Sequence, residues 1–187
     1  MFRILVVKDS SMKKLLTVIS LLFFCTCGTY NSFQGFYNEH KNDANVTAVT
    51  VPQFMLSLLR NSSPEMQGFM NNIRTISYMQ LRPTSDQESL RINSQINNLT
   101  STRFVEVFRK NADPIRTLIS VREARDVVKE IMIYKTAPNQ SSVFYLNGNF
   151  DPSKVRTYAK NGNFDQLTTY LVQQNQIDIN TPIQKTN

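Results

Sequence analysis

Apolar residues along this chain switch between a spacing of two and a spacing of three to four, and the switches mark out its elements. Val46-Thr-Ala-Val-Thr-Val51 alternates and is β-branched, which predicts a short strand. Pro52 suits a first helical turn, and Phe54, Met55, Leu58 and Leu59 follow at helical spacing. Ser63-Pro64-Glu65 opens another helix with a cap, a proline at the first position and an acid at the positive end. Met66, Phe69, Met70 and Ile73 continue it as one stripe. Ile73–Leu81 then reads as a strand ended by Arg82-Pro83.

In Thr84–Asn98, Leu90, Ile92 and Ile96 fit neither period. Thr100 or Ser101 is expected to cap a helix that turns Phe104, Val107 and Phe108 to the core. Three strands follow. Ile115–Arg122 puts Ile115, Thr117, Ile119 and Val121 on one face; Val127–Lys135 is apolar on both faces at Ile131–Tyr134; Val143–Gly148 is the third. Connections this short force antiparallel neighbours. Helices are expected at Pro152–Lys160 and Gln166–Gln173. The predicted fold is α+β: an antiparallel-rich sheet of about five strands with helices on one face, a two-layer sandwich.

The pentapeptide Asn-Gly-Asn-Phe-Asp occurs at 147–151 and again at 161–165. Each copy supplies a Gly free to take φ > 0 and then an Asp near a helix N-cap. A calcium loop needs several acids, and each copy has one.

The N-terminal segment is built differently. Lys13-Lys14 precedes the apolar run Leu15–Phe24, and Cys25-Thr26-Cys27-Gly28 closes it, the order of a bacterial lipoprotein signal. Leu15–Cys27 is 13 residues long, short of the roughly 20 that a spanning helix needs. Cys27 follows the small Thr26 whereas Cys25 follows the bulky Phe24, so Cys27 is the expected lipid-attachment residue. Met12 reads as the true start. The organisation that follows is a signal over 1–26, a tether over 27–44, one domain over 45–173 and a flexible tail over 174–187.

Composition narrows the chemistry. Residues 27–187 number 161, enough for one domain with a real core. Beyond Cys27 there is no cysteine, so no disulfide framework supports the fold. The formal charge of +7 falls to +4 once the leader is set aside, and the basic residues are scattered as on a solvated surface, which excludes nucleic acid as a partner. Asn-x-Ser/Thr triplets at Asn45, Asn61, Asn98 and Asn139 are what an Asn-, Ser- and Thr-rich chain produces by chance.

The single histidine, His40, lies in the polar segment before the first strand and is expected to face solvent. It is a poor base for a catalytic triad. With no cysteine beyond the leader and five glycines in all, neither a zinc site of usual spacing nor a phosphate loop is expected. Glu106, Glu123, Asp126 and Glu130 are too dispersed for a glycosidase pair. No catalytic residue, cofactor or metal ligand is expected.

Phe33-x-x-Phe36-Tyr37, Val46–Leu59 and Ile73-Arg-Thr-Ile-Ser77, with Val128–Tyr134 and Phe144–Asp151 later, resemble a Bacteroides-type family of small lipoproteins filed as domain of unknown function 4252. The resemblance spans about residues 33–160 and departs at Thr84–Asn98. It implies an exported lipoprotein with one α+β domain and carries over no catalytic residue. The leading expectation is a non-catalytic envelope lipoprotein, held by its N-terminal lipid at the outer membrane on the periplasmic side. There it binds another envelope protein in a sensing or assembly role. The alternatives are a hydrolase using the dispersed carboxylates and a carrier of a small hydrophobic ligand.

Overall fold

A computed structural model describes residues 32–60 and 64–174. The leader with Cys25 and Cys27, the Ser63 cap and the tail from 175 lie outside the described residues. The elements run α1 (Phe33–His40), β1 (Val46–Thr50), α2 (Gln53–Arg60), α3 (Pro64–Met70), β2 (Ile73–Leu81), α4 (Asp86–Arg103), β3 (Val105–Ala112), β4 (Ile115–Ala124), β5 (Val127–Ala137), β6 (Gln140–Phe150), α5 (Pro152–Lys160) and α6 (Asn163–Gln174). The strands form one antiparallel sheet in the order β1-β2-β6-β5-β4-β3. No described helix is long and apolar enough to cross a membrane.

The α+β class holds, and the described residues contain six strands where five were expected. The additional strand is β3, placed where a helix was predicted after Thr100. Thr100 and Ser101 do not open a helix but close one: their hydroxyls donate back to the Ile96 and Asn98 carbonyls within α4. The helix begins at Ser85, whose Oγ accepts from the Glu88 amide at 3.2 Å, while Glu88 Oε2 accepts from the Thr84 amide at 2.8 Å. Ile92, Ile96 and Leu99 form its buried stripe. Leu90, which obscured that stripe in the sequence, is 69% exposed.

The expectation of helices on one face is also corrected. Alternate side chains of β2, β4, β5 and β6 enter two separate cores. On one face, Ile76, Ile119, Ile131, Ile133, Phe144 and Leu146 pack with residues of α2, α3, α5 and α6. On the other, Met79, Leu118, Met132, Tyr134 and Val143 pack with Phe33 and Phe36 of α1 and with Ile92, Ile96 and Leu99 of α4. A sheet covered on both sides needs strands apolar on both sides, which is how Ile131–Tyr134 and Val143–Leu146 read. The helix α1 lies within the segment assigned above to a tether, yet Phe33 and Phe36 are buried, and the Phe33 ring stacks on Tyr145 with centroids 4.3 Å apart.

The two pentapeptides divide their expected duties. Asp151 caps α5, accepting from the Ser153 and Lys154 amides at 2.8 and 3.2 Å. Gly148, in the same copy, is required for space: a Cβ there would meet the Asn72 carbonyl oxygen at 2.1 Å. In the second copy Gly162 takes φ +76 as expected. Asp165, however, sits inside the first turn of α6 and pairs with Lys135 at 2.7 Å.

Candidate functional site

The helix α4 carries the chain from β2, beside one edge of the sheet, to β3 at the other. A cleft opens along each of its flanks.

The first, of about 220 Å³, lies where α1 and β1 meet the start of α4, and includes His40, Asp43, Arg82, Glu88 and Arg91. His40 does not face solvent as expected: it is 2% exposed, its ring packed on Phe36 with centroids 4.7 Å apart. Its Nδ1 lies 2.8 Å from Asp43 Oδ2. Phe36 and His40 are one helical turn apart, so both enter the core. Glu88 is held below the ordinary carboxylate range, first by hydrogen bonds from the Thr84 amide and hydroxyl, with Arg91 adding and Asp43 opposing. Acids and bases are mixed here: Asp43 pairs with His40, and Glu88 accepts from Thr84 with Arg91 nearby. Among the described residues no three His, Cys, Asp or Glu side chains converge to hold a metal ion.

The second cleft has the same volume, about 220 Å³, and a different chemistry. Asn93 and Asn97 of α4 form one wall; Arg109 and Asn111 of β3 and Arg116 of β4 form the other; Leu118, Tyr134 and Thr136 line it as well. Register sets this arrangement, since Asn111 pairs with Arg116 and Arg116 with Thr136, so three neighbouring strands place their side chains in one row. Arg109 is committed to Glu106, with Nε 3.0 Å from Oε1. Arg116 has no ion-pair partner among the described residues. The buried Tyr134 hydroxyl donates to Asn93 Oδ1, which fixes that amide with its Nδ2 donors unclaimed.

The dispersed carboxylates do not gather. Glu106 pairs with Arg109, Glu130 with Arg122 and Glu123 with Arg156, while Asp126 occupies the turn between β4 and β5 with φ 60. Cys27 lies outside the described residues. The cleft residues Asn93, Asn97, Asn111 and Arg116 escaped the sequence reading because they join only when α4 and β3 are both placed. The asparagine density of 93–98 was the one signal that could have found them.

An antiparallel sheet covered on both faces, with polar clefts flanking one crossing helix, defines an α+β domain. The chain belongs to the family described as domain of unknown function 4252, whose match covers residues 37–158 and so includes both clefts. No curated protein and no solved structure matches the chain.

Proposed function

We propose that this is an exported lipoprotein, held by a lipid on Cys27 at the outer membrane facing the periplasm, whose domain has a non-catalytic binding role in sensing or assembly. One observation supports the binding reading most: the cleft between α4 and β3 collects an unpaired arginine and three asparagine amides at the rim of the sheet. Such groups recognise a polar partner by hydrogen bonds. The address rests on the leader: a lysine pair, a short apolar run and a cysteine after a small residue.

Metabolic labelling with palmitate, followed by fractionation, tests the address. Label is expected in the wild type and in Cys25→Ala, and its loss in Cys27→Ala. An unlabelled wild type found outside the membrane fraction would overturn the anchor.

A further inference from the structure

We infer that the cleft between α4 and β3 is a binding site for a carboxylate carried next to an amide, as at the acidic end of a peptide or on an acidic N-acetyl sugar. This names the ligand of the binding reading above and rests on it.

The chemistry follows from what is paired and what is not. Arg109 and Glu106 neutralise each other on β3, leaving Arg116 as the uncommitted charge of the cleft. A guanidinium fork matches a carboxylate with two parallel hydrogen bonds. Among the described residues no acidic side chain lines the cleft, so an incoming carboxylate meets no like charge on its walls; Asp113, the acid nearest in sequence to a lining residue, is not part of the lining, and Glu106 is already held by Arg109. The asparagines supply the second half of the recognition. A carboxamide both donates and accepts, so it answers an amide group in the same way. Asn93 is oriented for this from below, because Tyr134 is 6% exposed and its hydroxyl donates to Asn93 Oδ1 while the Ser141 hydroxyl, 3.3 Å away, donates to it in turn. That anchoring lowers the ordering cost of binding on one wall. The volume, about 220 Å³, holds one sugar ring or one amino-acid residue, below the roughly 300 Å³ where drug-sized pockets begin. The ligand is therefore recognised by one terminal unit and extends outward past β3.

The other cleft does not compete for this role. Its Arg82 and Arg91 stand among Asp43 and Glu88, which already supply carboxylates.

The test is a titration of the full chain in detergent micelles, labelled with nitrogen-15, followed through the arginine Nε–H and asparagine side-chain signals. The probes are N-acetylalanine, N-acetylmuramic acid and, as the uncharged control, N-acetylglucosamine. At millimolar concentration one or both acids are expected to move the Arg116, Asn93 and Asn97 signals, and the neutral sugar to leave them unmoved. A response to N-acetylalanine alone assigns the site to a peptide end, and a response to N-acetylmuramic acid alone assigns it to a sugar. Arg116→Gln is expected to weaken binding by about tenfold or more, the worth of one bidentate charged contact, while Arg82→Gln changes nothing. If neither acid moves these signals, or if Arg116→Gln binds as the wild type does, the assignment fails and a general binding role is left standing. If both acids bind but palmitate labelling fails, the site stands and the anchor falls.

Discussion

The two faces of the sheet are comparable in burial and opposite in finish. The face under α2, α3, α5 and α6 is closed by aromatic rings: Phe69 lies 4.9 Å from Phe150, 5.0 Å from Tyr158 and 5.5 Å from Phe164, measured between centroids. On that face Lys135 is consumed by Asp165 and by the Thr168 hydroxyl at 2.8 Å. The face under α1 and α4 has an apolar centre with polar margins, and both clefts lie there. Four helices fill one side, while two leave the flanks of α4 open. One side therefore serves mainly stability, and the other combines packing with uncommitted polar groups.

The sharpest way to break that comparison is to empty each core in turn. Phe164→Ala on the closed face and Phe36→Ala on the α4 face each remove a side chain no more than 1% exposed. Each is expected to cost about 3–5 kcal/mol in urea unfolding followed by circular dichroism. If Phe36→Ala cost less than about 1 kcal/mol, α1 would be an appendage and the second face would not be a core.

The next contrast lies between the two copies of the pentapeptide. Gly148→Ala drives a methyl group against the Asn72 carbonyl and the Phe150 ring, with an expected loss of about 3 kcal/mol. Gly162→Ala meets nothing within 4 Å and strains only its φ of +76, an expected loss of about 1 kcal/mol. Equal losses in the same unfolding assay would show that the two glycines do the same work.

A smaller effect tests how α4 is started. Ser85→Ala removes the acceptor of the Glu88 amide and should cost about 1 kcal/mol. Ser85→Asp should restore it, since an aspartate accepts the same bond and favours the positive helix end.

The smallest effects concern pH. Burial pushes Tyr78 on the closed face and Tyr145 on the α4 face up to about 12, with Glu130 adding to the shift at Tyr145 and Arg82 opposing it at Tyr78. Both folded values lie above the ordinary 10.0. Their contribution is therefore full below pH 10 and is lost as the pH rises from there through the folded value near 12. Burial raises Tyr134 as well, so absorbance titration should show late phenols at Tyr78, Tyr134 and Tyr145, one of which disappears in Tyr145→Phe. Ionisation of Tyr145 at an ordinary value would mean that the ring is not stacked against Phe33.

These contrasts also explain what the sequence made legible. Strands such as Ile131–Tyr134 announced burial on both sides because apolar residues fill consecutive positions. The helix α4 did not, because its stripe of Ile92, Ile96 and Leu99 lies among asparagines and serines, with the exposed Leu90 out of phase. Missing that helix turned β3 into a helix by default, and with β3 misplaced no cleft could form. Asp151 was readable as a cap because its partners are two and three residues away. The purpose of Gly148 was not, because Asn72 lies far off in the chain. His40 looked exposed because its neighbours in sequence are polar, but helical geometry places it beneath Phe36.

The central claim, that the α4 face is the working face of a membrane-held domain, is tested most directly by photocrosslinking in intact cells. A photoreactive residue is placed at exposed Asn97 on α4 or, for comparison, at exposed Thr169 on α6 of the closed face. The account predicts that position 97 captures one recurring envelope component, identified by mass spectrometry, and that the capture is lost when Arg116→Gln is added. It also predicts that position 169 captures none. Equal capture from both positions, or capture from 97 that ignores Arg116→Gln, would contradict it.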